Sequence, residues 1–230
     1  MELISYSQSA QDLFVLSVLD RKENGKYWEI GASVPSYFNN TYLLESKFGW
    51  KGVSYEIDEE KNEYFRKVRI NPVVGGDATT QDFSAVSEKY ELGSVIDYLQ
   101  IDVDPYWNTL KCLKNIDFKK YKFATITYEH DQCHGGDSAR RESREILQSH
   151  GYTLVVPDLM DGCYSYEDWY VMEDLMPSDT WKQFVRSSYP AQKLRPELIE
   201  HLKQFDYEVN WLIDVTDQEG LKQLQSIKCS

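Results

Sequence analysis

The chain has 230 residues, of which 41% are hydrophobic, and this length allows one domain with a full apolar core. Its net charge of −13 argues against a nucleic-acid partner, because phosphate binding depends on clustered lysine and arginine. It has neither an apolar run of about 18 residues nor the basic start of a signal peptide, so we expect a cytoplasmic protein without a membrane segment. The four cysteines form no C-x-x-C pair and fit free thiols in a reducing compartment: Cys112, Cys133, Cys163 and Cys229.

Helical and strand patterns alternate along most of the chain. In order, they predict a helix at 8–21, a strand ending at Ile30, a helix at 39–48, a strand at 53–57, a helix at 59–69, strands at 73–74 and 95–103, a helix at 107–114, a strand at 123–128, a helix at 139–149, and strands at 153–156 and 168–172. This alternation indicates an α/β fold with a Rossmann-like, doubly wound and mostly parallel sheet. After Pro177 the pattern turns helical and polar, and Pro190 and Pro196 are expected to break it. We therefore expect a domain at 1–176 and a C-terminal extension at 177–230 that packs on it.

Two predicted strands end in a carboxylate, Glu29 on the first and Glu56 on the second. Ligands bind beyond the carboxyl ends of the strands in an open parallel sheet, so Glu56 is placed to accept hydrogen bonds from a ribose diol. Gly31 allows a tight turn after Glu29, but G-x-G-x-x-G and the phosphate-binding P-loop are both missing, which argues against a pyrophosphate. An acid followed by Gly31 and Ala32 suits S-adenosyl-L-methionine, which has no phosphate. The alternative is a glycine turn that only ends a strand.

Carboxylates also follow the next strands. Asp77 lies beyond the third, where an acid can accept from the exocyclic amine of adenine, or simply face solvent. Asp102 and Asp104 end the fourth strand, and Glu129 and His130 end the fifth, so these groups are expected around the transferred methyl. Methylation of a hydroxyl needs removal of its proton, and we favour His130 as the base. A divalent cation, Mg²⁺ or Mn²⁺, held by Asp102, Asp104 and Glu129 is the alternative, and hydrogen bonds to loop amides or ion pairs with arginine are a third interpretation.

Segments spread over about residues 5–175 share their order and spacing with a known family: Tyr6–Asp12, Glu29–Ala32, Asn40–Glu45, Gly49–Val53 with Glu56, Ile96–Asp104, Thr127–His130, Arg141–Leu147 and Tyr166–Val171. Together they resemble the FkbM-type family of S-adenosylmethionine-dependent methyltransferases. The resemblance implies a seven-stranded class I methyltransferase domain with its last strand reversed. It also implies methyl transfer to oxygen, on a small molecule, a sugar or a glycan.

The resemblance assigns roles to particular positions. It implies cofactor contacts at Gln8, Asp12, Glu29, Gly31, Ala32, Glu56, Asp77, Ala78 and Asp102. Catalytic roles are expected for His130, Glu129 and Asp104. The family commonly has Asp-Val-Glu-Gly at the end of the fourth strand, whereas here Asp104 and Pro105 follow Val103, so the acceptor atom is left open.

Other functions remain to be weighed. The run from Asp104 to Trp107 is similar to the Asp-Pro-Pro-Tyr of amino-methyltransferases that act on adenine, but its second proline is missing and the acidic chain would repel DNA. A small amine is therefore a better alternative acceptor than a nucleobase. A non-catalytic scaffold, with or without S-adenosyl-L-methionine, is a third reading, since this type of sheet hosts many functions. The expected partner is a small-molecule or carbohydrate acceptor, and a homo-oligomer is left open.

Overall fold

The computed structural model describes residues 1–161 and 164–212. Its strands are β1 (Glu2–Ser5), β2 (Lys26–Ile30), β3 (Lys51–Glu56), β4 (Val73–Gly75), β5 (Val95–Ile101), β6 (Lys122–Glu129), β7 (Thr153–Asp161), β8 (Tyr164–Val171), β9 (Tyr189–Pro190) and β10 (Glu208–Trp211). Its α-helices are α1 (Gln11–Val18), α2 (Tyr42–Phe48), α3 (Glu59–Val68), α4 (Phe83–Lys89), α5 (Tyr106–Asn115), α6 (Asp137–Ser149) and α7 (Ala191–Lys203). Cys112 and Cys133 are free thiols, as predicted, and Cys163 and Cys229 lie outside the described residues.

The main sheet has the strand order β4-β3-β2-β5-β6-β8-β7-β9. The pairings from β4 to β6 are parallel, and β8 runs antiparallel to both of its neighbours. From β2 the chain builds outward first through β3 and β4, and then in the other direction through β5 and β6. The predicted doubly wound, mostly parallel sheet is therefore confirmed, and its strand order reverses between β2 and β5, where such sheets bind ligands.

Helices cover both faces of the sheet, and this explains why its central strands are buried throughout. Successive side chains of a strand point to opposite faces, so Tyr27 enters one apolar core and Trp28 enters the other. The first core contains Phe14 of α1 and Trp169 of β8. Burial on both sides produces continuous apolar runs instead of alternation. Such runs are the pattern that marked these strands in the sequence.

The hairpin of β7 and β8 is longer than the sequence predicts. Apolar residues mark only 153–156 and 168–172, whereas pairing continues out to Asp161 and Tyr164. The outer half contains core residues such as Leu159 and Tyr166, but irregular pairing along β7 interrupts the alternation that would mark a strand. With this longer pairing, Glu167 lies inside a strand, near the edge where β6 ends.

Residues 178–212 pack on the domain. β10 pairs in parallel with β1, and the apolar face of α7 joins the same core as Phe14. The predicted break at Pro196 is wrong, because α7 runs through it. Pro196 lies in the second turn, where a missing N–H removes a single helical hydrogen bond. Within the described ranges, every helix is too short or too polar to cross a bilayer.

A buried arginine holds the segment that follows β2. The Arg69 side chain has no exposed surface and is 2.6 Å from the carboxylate of Glu45. It also donates to the side chains of Asn39, at 3.0 Å, and Thr41, at 2.8 Å. Burial alone would raise the pKa of Glu45, but the charge of Arg69 together with hydrogen bonds from Arg69, Ile70 and Asn71 lowers it. Segment 32–41 is therefore held to the domain by hydrogen bonds from Arg69, whose charge is balanced by Glu45.

We expect Arg69→Met to destabilise the fold by about 3–5 kcal/mol, because it leaves Glu45 as a buried charge without its partner. The matched control is Arg66→Met, three residues earlier, whose pair with Glu59 is solvent-exposed and should contribute no more than about 1 kcal/mol. Urea unfolding followed by tryptophan fluorescence measures both changes. Equal losses in the two variants would contradict this role for Arg69.

Candidate functional site

A narrow cavity opens where the strand order reverses. Its wall carries the carboxyl groups of Glu29, Asp102, Glu129 and Glu167, which come from β2, the end of β5, β6 and β8. Glutamine side chains and the turn after β2 complete it, and among its described lining residues none is lysine or arginine. The cavity holds about 40 Å³, which is room for a few water molecules at most.

The turn after β2 depends on a close backbone contact. Gly31 has a φ of +85°, and a Cβ added to it would lie 1.6 Å from the carbonyl oxygen of Asp102. The N–H groups of Gly31 and Ala32 donate to the carbonyl of Tyr55, at 3.0 and 2.9 Å, while Asp102 N–H donates to Ile30 at 2.9 Å. These bonds fasten the turn to the ends of β3 and β5 together, which brings Glu29 and Asp102 to one cavity.

The two acids expected at the ribose differ in their surroundings. Glu29 lines the cavity, accepts from the Ser54 hydroxyl at 2.7 Å, and has a pKa raised by burial. Glu56 ends β3 beside the turn, as predicted, but its two carboxylate oxygens accept the backbone N–H groups of Ser33, at 2.7 Å, and Asp58, at 2.9 Å. A ribose diol would have to share those oxygens or displace Ser33, so the role of Glu56 remains a prediction.

Three carboxyl groups crowd the far wall. Asp102 and Glu129 share a hydrogen bond, which requires a proton between them. Burial, together with neighbouring acids, raises the pKa of Asp102 to about 7 and that of Glu129 well above its usual range. Burial likewise raises the pKa of Glu167 to about 8, although Gln11 donates to it at 2.8 Å. Groups that titrate near neutral pH are suited to taking and returning protons.

The structure corrects the expectation for His130. Side chains alternate across a strand, so Glu129 faces the cavity while His130 points to the opposite side. The imidazole has no exposed surface; its Nε2 is 3.5 Å from Asp168, and Gln132 N–H donates to its Nδ1 at 3.2 Å. Asp168 also binds Arg144 at 2.7 Å. His130 belongs to a buried polar cluster away from the cavity, and this position does not fit a base for methyl transfer.

Only two of the three expected metal ligands, Asp102 and Glu129, come together. Asp104 is exposed and lies outside the cavity lining, while Asp102 and Glu129 bind each other. Within the described residues, groups close enough to share an ion occur elsewhere, as Asp131 with Cys133 and His134, and as His130 with Asp158 and Asp168. Arg144 already neutralises the second group, at 2.9 Å from Asp158. The donor set predicted for Mg²⁺ or Mn²⁺ is thus not assembled, and Asp104 is not placed for catalysis.

The two N-terminal candidates, Gln8 and Asp12, have different positions relative to the cavity. Gln8 lines the cavity. Asp12 does not; its buried carboxylate accepts from the hydroxyls of Ser5 and Ser7, both at 2.7 Å, and orders the segment that carries Gln8. Asp12 therefore acts on the cavity through the backbone around it.

The pair expected near adenine lies at the end of β4. Asp77 is exposed and accepts from Thr79 N–H at 2.8 Å, which lowers its pKa, and Ala78 is buried beside it. Neither lines the cavity, which reaches only the side of the site where the methyl group is expected.

Sequence reasoning missed Gln11, Gln100 and Glu167. Gln100 is 3% exposed, and its Oε1 has no hydrogen-bond partner among the described residues. Gln100 lies two residues before Asp102, in the strand that the sequence already predicts to end at the site. Glu167 lies in the first half of the reversed strand, opposite the last residue of β6. Recognising that a reversed strand starts, rather than ends, at the binding edge would have identified it.

No protein-family model matches the chain, and no curated protein is similar to it in sequence. Among solved structures, it is similar to a human methyltransferase 10 domain-containing protein, with a TM-score of 0.50, 15% identity, and coverage of 70% of this chain and 80% of that chain. The chain has the fold of the class I methyltransferases. It is also similar to an O-methyltransferase from Bacillus cereus in complex with SAH, with a TM-score of 0.48, 15% identity, and coverage of 73% and 82%. A further match is Aeropyrum pernix fibrillarin with bound S-adenosyl-L-methionine, with a TM-score of 0.49, 14% identity, and coverage of 71% and 75%.

We expect Gly31→Ala to destabilise the protein by more than the left-handed backbone alone would cost. Gly151 offers a matched control, because its φ of +87° is similar but an added Cβ would meet nothing within 4 Å. Gly151→Ala should cost about 1–2 kcal/mol for the left-handed conformation. Gly31→Ala should cost a further 1–3 kcal/mol or so for the collision with Asp102, measured by urea unfolding. Similar losses in both would show that the turn can move away from β5.

Burial of the carboxyl groups should make the stability fall as pH rises. In the unfolded chain these acids have pKa values of about 4. In the fold the pKa of Asp102 is about 7 and that of Glu167 is about 8. The folded state therefore binds more protons between these values, and its stability decreases with rising pH across that window. Glu167→Gln should reduce the loss between pH 5 and pH 8 by more than about 1 kcal/mol.

The measurement is urea unfolding at both pH values, with the exposed Glu63→Gln as the control that should follow the native protein. A Glu167→Gln variant with the same pH dependence as the native protein would mean that Glu167 ionises normally.

Proposed function

We propose that this protein is an S-adenosyl-L-methionine-dependent methyltransferase that acts on a small-molecule acceptor. The observation that carries the proposal is the meeting of the Gly31 turn with the carboxyl groups of Glu29, Asp102 and Glu129 at the point where the sheet reverses its order. When bound, S-adenosyl-L-methionine supplies a methyl group on a positively charged sulfur.

The residues present suit that cofactor. Carboxylates at Glu29 and Asp102 can balance its sulfonium and ammonium charges. The single-glycine turn has no series of amides to cradle a pyrophosphate, which favours a cofactor without phosphate. The adenosine end would extend toward Glu56 and the end of β4, as the sequence predicts.

The small volume of the cavity means that binding requires a movement. The segment around Gln8 and Gln11 covers the opening, and the hydrogen bond from Gln11 to Glu167 closes it over β8. We infer that the described conformation is the closed one.

Two classes of acceptor have support. The resemblance to the FkbM-type family supports a hydroxyl on a small molecule, a sugar or a glycan, with the proton taken by the Asp102 and Glu129 pair in place of His130. The wall of carboxyl groups, without lysine or arginine among its described residues, supports a cationic amine instead. The net charge of −13 supports neither class over the other but disfavours nucleic acid.

Calorimetric titration with S-adenosyl-L-methionine tests the proposal. We expect one molecule to bind each chain, and Asp102→Asn to weaken binding by roughly tenfold at pH 8, because it removes a negative charge beside the cationic cofactor. Glu63→Gln removes an exposed charge outside the site and should bind as the native protein does. Circular dichroism confirms that each variant is folded.

If the native protein binds neither S-adenosyl-L-methionine nor its demethylated product SAH, the methyltransferase proposal fails. The non-catalytic scaffold is then the better interpretation.

A further inference from the structure

Two of the cavity's acids face each other across neighbouring strands. In the antiparallel pairing of β6 with β8, Glu129 is directly opposite Glu167. Two negative charges so placed would destabilise a sheet, and burial raises the pKa of both groups, which favours their protonated forms. The described residues offer Glu167 the uncharged amide of Gln11 at 2.8 Å, which cannot balance a negative charge. A positively charged ligand between the two strands would balance it.

A hydrogen-bond acceptor beside these acids also lacks a donor. The side chain of Gln100 is 3% exposed, lines the cavity, and leaves its Oε1 without a partner in the described structure. Buried carbonyl oxygens are normally satisfied, so an unsatisfied one in a cavity wall points to a ligand that donates. An ammonium group has three N–H donors and no acceptor, which complements a wall made of carboxyl groups and an amide oxygen.

The positions of the acids separate cofactor from acceptor. Glu29 and Asp102 adjoin the Gly31 turn, on the side of β2 and β5 where the proposed cofactor lies. Glu129 and Glu167 lie on β6 and β8, farther along the edge of the sheet. The two positive charges of the cofactor are already balanced by Glu29 and Asp102. The charge of Glu129 and Glu167 is therefore available to the methyl acceptor.

We propose that the acceptor is an aliphatic amine whose ammonium group is held by Glu167 and Gln100 and is deprotonated by Glu129. This inference rests on the proposed methyltransferase function and names its substrate class. An anionic acceptor would be repelled by these acids. A neutral hydroxyl could donate to one of them but brings no positive charge to stabilise the ionised pair.

The chemistry balances without another reactant. The ammonium gives one proton to the Glu129 carboxylate and becomes a neutral amine with a free electron pair. That pair forms the new nitrogen–carbon bond with the methyl group while the carbon–sulfur bond breaks, its electrons staying on sulfur. The product is an N-methyl ammonium ion with SAH, and Glu129 then releases its proton to solvent. Glu129 and Glu167 both release their protons to solvent when the ammonium binds, because its positive charge favours their ionised forms, and the Glu167 carboxylate keeps the nitrogen in place.

Butylamine and butanol test the charge requirement, since they differ only in the head group. Each is titrated calorimetrically into the native protein saturated with SAH, and the SAH titration itself is done first. We expect butylamine to bind at least about tenfold more tightly than butanol. Glu167→Gln should remove most of that preference while SAH affinity stays near native, and Glu63→Gln should preserve both.

Ethanolamine tests the acceptor atom, because it carries an amine and a hydroxyl in one molecule. With S-adenosyl-L-methionine and native protein, mass spectrometry of the product should show the methyl group on nitrogen. Equal binding of butylamine and butanol, no binding of butylamine, or a methyl group on the ethanolamine oxygen overturns the amine inference and leaves the methyltransferase proposal intact. Failure of SAH to bind in the first titration overturns both. The comparison of butylamine with butanol needs no variant, so it stands even if Glu167→Gln does not fold.

Discussion

The site depends on how closely the backbone of Gly31 approaches the carbonyl of Asp102. That contact leaves no space for a side chain, so the turn after β2 and the end of β5 lie against each other. Hydrogen bonds to the Tyr55 carbonyl attach the same turn to β3, and Arg69 holds the segment beyond it. A turn fixed on both sides gives the carboxyl groups of neighbouring strands one common cavity, whose charge then determines what it can bind.

Buried acids occur in two different settings in this fold. Glu45 and Asp168 each bind an arginine, and their pKa values are lowered although burial opposes this. Asp102, Glu129 and Glu167 have no such partner in the described structure, and burial raises their pKa values. Arginine therefore neutralises buried acids elsewhere in this fold, but it does not do so for the described acids at the point where the strand order reverses. Perturbed, unpaired acids in a cleft are typical of functional sites, whereas the paired ones stabilise the domain.

The C-terminal extension is part of the same arrangement. Trp211 donates to the backbone carbonyl of Ser7 at 2.9 Å, and Arg195 donates to that of Gln8 at 3.2 Å. The extension thus holds the N-terminal segment that covers the cavity. A movement of this segment away from the cavity would break these hydrogen bonds, so the cavity is linked to the contact between β10 and β1. Arg195 and Trp211 thus support the N-terminal segment at the cavity.

The sequence by itself determined the α/β architecture, the Gly31 turn and the acids at the strand ends, because burial on two faces and a left-handed turn restrict which residues can occupy those positions. Only the tertiary structure decided where each acid points. Glu129 and His130 are adjacent in the chain, yet strand alternation sends one to the cavity and the other to Asp168. Glu167 is 38 residues from Glu129 along the chain and becomes its neighbour only through the register of β6 with β8. Charge balance inside a fold depends on such distant pairings, which local patterns of residues do not encode.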